Sequence, residues 1–142
     1  MKIVLGADHG GFELKEDVKK LLVTLEYDIL DVGCSSTDSV DYPDFAEKAV
    51  SYIIDGSCEL GILICGTGIG MSISANRHFE IRAANCNSEY TAALSREHNN
   101  ANVLCLGGRV IDKELALLIV QTWLRSEFEG GRHQRRIDKF SK

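Results

Sequence analysis

The chain has 142 residues, 44% of them hydrophobic and 7% aromatic, enough for one compact domain with its own core and too few for two comfortable ones. A net charge of -5 and a pI near 5.3 disfavour non-specific binding to nucleic acid or to a membrane surface, and no apolar run approaches the length of a membrane span, which excludes a transmembrane role. Five cysteines lie far apart with no Cys-x-x-Cys pair and no signal-peptide-like start, so the chain reads as a reduced cytoplasmic protein, and its scattered histidines and cysteines give no metal-ligand spacing.

Lys2 to Leu5 is a short apolar strand that runs into Gly6-Ala7-Asp8-His9-Gly10-Gly11, a turn with two ionisable groups between glycines. From Phe12 onward Leu14, Val18, Leu21, Leu22 and Leu25 recur at helical spacing, which puts Glu13, Lys15, Glu16, Lys19 and Lys20 on the other faces. A second strand, Asp28 to Val32, ends at Gly33 and passes into a polar loop, Cys34 to Ser39. Asp41-Tyr42-Pro43-Asp44 opens the next helix, because a proline suits a first turn, where the N–H it lacks would have no helical partner. Ala46, Ala49, Val50 and Ile53 make that helix's apolar face.

The third strand is the run Leu60 to Ile64, which stops at a thiol, Cys65. Gly66, Gly68 and Gly70 follow on alternate positions, and then a helix to about His78. A fourth strand, Ile81 to Cys86, leads to Ser88, an N-cap for a helix containing Tyr90, Ala93 and Leu94 that stops in the polar turn Glu97-His98-Asn99-Asn100. Val103 to Leu106 is the fifth strand, ending in Gly107-Gly108-Arg109, and Asp112 caps a long helix with Leu115, Leu118, Ile119 and Trp123 inward. The basic tail, about residues 128–142, is suited to docking on another chain. Five strand-helix repeats predict a single α/β domain over 1–142: a parallel sheet with helices on both faces.

In open parallel sheets, sites form beyond the carboxyl ends of the strands. Those ends carry Asp8 and His9, then Cys65 to Gly70, then Arg109. His98 and Asn99 precede the fifth strand and belong to the opposite edge, so His98 either only terminates a helix or completes a site on a second subunit. The glycine loop lacks the Gly-Lys-Ser/Thr of a Walker A motif, and its G-x-G-x-G spacing on the third strand does not fit a dinucleotide fingerprint. It remains an anion nest of backbone N–H groups. Cys86 and Cys105 read as buried and inert, whereas Cys65 sits where a thiolate would be stabilised, as a nucleophile or as a base. The run from Arg132 to Arg136 reads either as a solvated helix face or as a phosphate site, since Arg132 and Arg136 are spaced i, i+4 and could act with Arg109 and His9.

Together, Gly6 to Gly11, Asp41-Tyr42-Pro43, Cys65 to Gly70, Arg96 to Asn100, Gly107-Gly108-Arg109 and Arg132 to Arg136 resemble the type B ribose-5-phosphate isomerases from end to end. The resemblance implies a three-layer α/β/α Rossmann-like fold with a five-stranded parallel sheet. It also implies a cofactor-free, metal-free interconversion of ribose 5-phosphate and ribulose 5-phosphate in the pentose phosphate pathway. The expected assembly is a homodimer with active sites shared between subunits, or a tetramer, which would explain the placing of His98. By the same resemblance Cys65 moves the proton between C2 and C1 through a cis-enediolate, and Thr67 with the N–H groups of Gly66, Gly68, Ile69 and Gly70 holds the oxyanion. His98, with Asp8, would assist opening of the furanose ring; His9, Arg109, Arg132 and Arg136 would hold the phosphate; Tyr42 and Asn99 would line the sugar pocket. A second branch of the family carries a glutamate base where this chain has Met71, which places the chain with the cysteine branch. Isomerases of allose or galactose 6-phosphate share the scaffold, and a catalytically silent sugar-phosphate-binding protein is the alternative of a different class.

Overall fold

The computed structural model describes residues 1–141. Strands β1 (Lys2–Ala7), β2 (Asp28–Asp31), β3 (Leu60–Cys65), β4 (Ala83–Asn85) and β5 (Val103–Gly107) form one sheet in the order β2-β1-β3-β5-β4, with every pairing parallel. Each strand is followed by a helix: α1 (Phe12–Thr24), α2 (Tyr42–Ile54), α3 (Ile69–Ala75), α4 (Glu89–Glu97) and α5 (Lys113–Arg125), and a short α6 (Arg132–Ile137) follows α5.

Side chains alternate across a strand, so successive residues of β1, β3 and β5 feed opposite cores. Ile3, Leu5, Ile62, Ile64, Leu104 and Leu106 meet Leu14, Val18, Ile119 and Trp123 on one face. Val4, Leu63, Cys65, Val103 and Cys105 meet Ala46, Val50, Met71 and Ala75 on the other. The result is the expected α/β/α layering. Helix starts are fixed by local chemistry: the Ser88 hydroxyl accepts from the Thr91 N–H at 3.2 Å, Asp112 accepts from the Leu115 N–H at 2.8 Å, and Pro43 stands in the first turn of α2.

Four features differ from the sequence expectation. β2 and β4 are shorter than read, and α3 ends at Ala75 rather than near His78, since single-residue hydrogen bonding frays at element ends. Leu118 points outward at 46% exposure, because the inward stripe of α5 runs through Ala116, Ile119, Val120 and Trp123. Lys15 is not on an outer face: it is 1% exposed, with its ammonium 2.7 Å from Asp31, which Lys19 also reaches at 3.0 Å. Its charge is accommodated by a carboxylate delivered from β2, a partner that helical periodicity cannot reveal. Finally, part of the basic tail is ordered helix, α6, with His133 and Ile137 buried against the body.

The sheet order places the site. From β1 the chain crosses outward to β2 and then returns to β3 on the other side of β1, so the loops after β1 and β3 part and leave a crevice between them at their carboxyl ends.

Candidate active site

Asp8 and His9 lie just past β1, Cys65 is the last residue of β3, and Gly107 to Arg109 close β5. These three strand ends are tied together. The Gly108 N–H donates to the Cys65 carbonyl and the Arg109 N–H to the Gly66 carbonyl, each at 2.9 Å. The Asp8 carboxylate accepts from the Gly10 N–H at 2.8 Å, which turns the chain so that Gly10 packs on Gly66, with room for a Cβ only 3.1 Å from the Gly66 nitrogen.

Cys65 is 4% exposed, and the Gly68 N–H donates to its Sγ at 3.1 Å, a dipole placed to steady negative charge on sulfur. Gly68 adopts φ +82, the left-handed region open to glycine, and this directs its N–H back to the thiol before α3 begins. The Thr67 hydroxyl accepts from the Ile69 N–H at 3.2 Å. Around this loop is a cleft of about 430 Å³ lined by Asp8, Tyr42, Cys65, Gly66, Thr67, Ile69, Gly70 and Ile73. Tyr42, at the start of α2, lies across Gly70, whose Cβ would sit 2.7 Å from the ring. Only glycine lets the ring approach there.

A second hollow of about 320 Å³, lined by His9, Gly10, Glu13, Leu14, Thr37, Gly108 and Arg109, adjoins the same loops. Nδ1 of His9 accepts from the Val40 N–H at 3.2 Å, which leaves Nε2 as the ring's donor. The Arg109 guanidinium lies over Gly66, within 3.4 Å of where a Cβ would be. A ring N–H and a guanidinium beside the same hollow suit an anion next to the Cys65 cleft. A larger cavity, about 550 Å³, lies elsewhere, along Lys15, Lys19, Asp31 and Cys34. Its two ammonium groups are already held by Asp31.

The other sequence-predicted residues stand apart within the chain. His98 is the C-cap of α4 and Asn99 follows it; Arg132 and Arg136 lie on α6; none of the four lines either hollow. They gather at the edge of the sheet where β5 begins. The imidazoles of His98 and His133 stack there, with centroids 4.2 Å apart and planes 11° from parallel, and Glu129 approaches both. The ligating atoms of this trio lie within 4.8 Å of one another, a cluster that sequence spacing did not predict. Its geometry is not that of a chelate, because imidazole binds a metal in the ring plane and two stacked rings do not aim at one ion.

Burial pushes the thiols of Cys58, Cys86 and Cys105 up, Cys105 well above the ordinary value, consistent with the inert reading of Cys86 and Cys105. Sequence reasoning passed over Asn85, whose amide donates to the Thr67 carbonyl at a long 3.4 Å and whose side chain packs on Gly68. It also gave no role to Glu129. The only sequence signal for Glu129 was its i, i+4 spacing to His133 across the Gly130-Gly131 turn.

Comparison with known proteins matches residues 3–140 to the Ribose/Galactose Isomerase family. Ribose-5-phosphate isomerase B of Escherichia coli is 46% identical over 137 residues, covering 96% of this chain and 92% of that protein. The solved structure of Clostridium thermocellum ribose-5-phosphate isomerase B has a TM-score of 0.98 at 50% identity, covering 99% of this chain and 95% of the other. That of the Mycoplasma genitalium ribose-5-phosphate isomerase B with bound ribulose-5-phosphate has a TM-score of 0.94 at 45% identity, covering 97% and 92%. With the thiol, the glycine loop and the adjoining anion hollow on one scaffold, the chain belongs to the ribose/galactose isomerase family, with the ribose-5-phosphate isomerases of type B.

Proposed function

We propose that the protein interconverts D-ribose 5-phosphate and D-ribulose 5-phosphate, with Cys65 as the base. The observation that carries this reading is the buried Cys65 sulfur, which accepts an N–H from its own glycine loop and shares a cleft with Asp8, Tyr42 and Thr67. In the forward direction the thiolate takes the C2 proton of the open-chain aldehyde while the carbonyl electrons move onto O1. The resulting cis-enediolate is reprotonated at C1 by the same sulfur, and the hydroxyl proton moves from O2 to O1. Negative charge on the enediolate oxygens would meet the Thr67 hydroxyl and the N–H groups of Gly66 and Gly70, with those of Gly68 and Ile69 shared from the Cys65 sulfur and the Thr67 hydroxyl they now face.

The phosphate would occupy the hollow of His9 and Arg109, held there far enough from the thiol to orient the sugar for proton transfer. A second copy of the chain would supply His98, Asn99, Arg132 and Arg136, with the segment from about residue 128 docked across the partner's cleft. This arrangement accounts for a site otherwise split between two edges of one sheet, and for the exposure of Ile69 and Ile73 beside the cleft. The protein would then be a homodimer or a larger assembly of such dimers, working in the cytoplasm on the pentose phosphate pathway; five free cysteines fit a reducing compartment.

The testing experiment compares initial rates with ribose 5-phosphate and allose 6-phosphate, in EDTA, for wild type and for Cys65→Ala. Preference for the pentose and near-total loss of turnover in Cys65→Ala, with retained binding of a phosphate ligand, are expected. A hexose preference would move the substrate assignment, and an active Cys65→Ala would end the base assignment. For the shared site, mixing Cys65→Ala with His98→Ala restores part of the activity; no recovery after demonstrated subunit exchange contradicts it.

A further inference from the structure

Three groups outside the Cys65 cleft converge where α4 ends and α6 begins. Glu129 Oε1 lies 3.7 Å from Nε2 of His98 and 3.5 Å from Nε2 of His133, while the two imidazoles stack. The backbone holds this arrangement. The Glu129 N–H donates to the Glu97 carbonyl at 3.0 Å, one residue before His98. Gly130 and Gly131, at φ 70 and 59, then turn the chain directly into α6, which brings His133 back over His98. That backbone bond keeps Glu129 beside the two rings.

Stacked imidazoles this close are not both cationic at low cost. His133 is 6% exposed, and burial, then His98, then Arg132 push its imidazole below the ordinary value, with Arg136 acting the same way and only Glu129 opposing. Glu129 Oε1 faces Nε2 of both rings, so its charge bears on His98 as well as on His133. An imidazole whose Nε2 faces a carboxylate keeps its N–H on that side and presents an unprotonated Nδ1 on the other. Among the described residues, Nδ1 of His98 meets no hydrogen-bond partner.

We propose that Glu129, buttressed by His133, is a positioning residue for His98, holding the ring by its Nε2 edge so that Nδ1 exchanges the proton that opens the substrate's furanose ring. This rests on the reading of His98 as the ring-opening group. In the step, the O1 hydroxyl gives its proton to Nδ1, and the C1–O4 bond breaks as the C1=O1 bond forms. O4 leaves with the electron pair and takes the proton back from Nδ1, so the imidazole ends neutral.

The two directions of the reaction separate this role from a structural one. Ribulose 5-phosphate has its C5 oxygen phosphorylated and forms no furanose, so exchange of its C1 hydrogen with D2O needs no ring step. Glu129→Gln, which keeps the shape and removes the charge, should lower kcat from ribose 5-phosphate about 10- to 100-fold with KM changed less than twofold. Its C1 exchange rate with ribulose 5-phosphate should stay within twofold of wild type, and Glu129→Asp should recover part of the loss. Equal losses in both assays, or no loss, overturn the proposal. A readout independent of variants is the imidazole 15N spectrum of wild-type His98, expected to show protonated Nε2; protonated Nδ1 overturns the proposal even if Glu129→Gln fails to fold. His98→Asn separates the two readings. If it lacks the directional loss, the ring-opening assignment of His98 fails and takes this role with it; if it shows the loss and Glu129→Gln does not, only the role of Glu129 fails.

Discussion

Gly107 closes β5 directly opposite Cys65 in the sheet register, and its missing side chain sets where the oxyanion loop can lie. A Cβ there would stand 2.6 Å from the carbonyl carbon and oxygen of Thr67 and 2.8 Å from its Cα, where ordinary contact begins at 3.4 Å. Gly107→Ala therefore pushes the Thr67 backbone away by about 0.8 Å, since neither side is a flexible side-chain end that could give way. The loop cannot follow as a unit, because Gly108 and Arg109 stay hydrogen-bonded to Cys65 and Gly66 at 2.9 Å. A misplacement of about 1 Å in groups that meet developing charge costs about 100-fold in rate, or about 2.7 kcal/mol of barrier. The overpacking itself costs about 1–3 kcal/mol of stability. The assay is kcat and KM with ribose 5-phosphate, well below the thermal midpoint of the variant. We expect kcat to fall about 100-fold, with KM changed less than threefold because the phosphate hollow is displaced less. A Gly107→Ala enzyme with full kcat and an unchanged midpoint would refute the claim that this contact fixes the loop.

Other consequences concern the buried charges and a helix cap. Asp31→Ala strands the ammonium of Lys15, leaving it Glu16 at 3.6 Å and the Phe12 ring at 5.4 Å, and should cost about 3–5 kcal/mol in denaturant unfolding. Burial alone would raise the Asp31 carboxyl, but hydrogen bonds from Lys15, the Gly33 N–H and Lys19 outweigh it and hold the group below the ordinary carboxylate range. With the folded value depressed, this stabilisation is complete above the unfolded value of about 3.9 and is lost as pH falls through the folded one, so wild type should lose stability more steeply than Asp31→Ala on acidification below pH 4. Asp112→Ala removes the acceptor of the Leu115 N–H and should cost about 1 kcal/mol in thermal unfolding, with no change in kcat.

The strand-helix order was legible because period-2 and period-3.6 apolar patterns alternate cleanly along the chain, and the parallel sheet follows from that alternation. The strand-end rule then gathered Asp8, Cys65 and Arg109, which the fold does bring to one edge. Lys15 was misread because a helical wheel sees only its own helix, while its partner Asp31 arrives from β2. Leu118 was misplaced because adjacent leucines in α5 leave the inward stripe ambiguous until Trp123 is seated. Gly107 looked like a plain strand terminator, and only packing against Thr67 shows what it permits. The trio of His98, Glu129 and His133 joins two separate stretches of chain through a backbone bond and a glycine turn, a juxtaposition no local pattern encodes.

In the proposed reaction the Cys65 sulfur carries the proton between C2 and C1. Its most direct test is deuterium exchange at C1 of ribulose 5-phosphate in D2O, followed by NMR for wild type and for Cys65→Ala saturated with substrate. Exchange is expected at the turnover rate in wild type and not above background in the variant, with phosphate-ligand binding retained. Exchange by Cys65→Ala at a rate near that of wild type would contradict it.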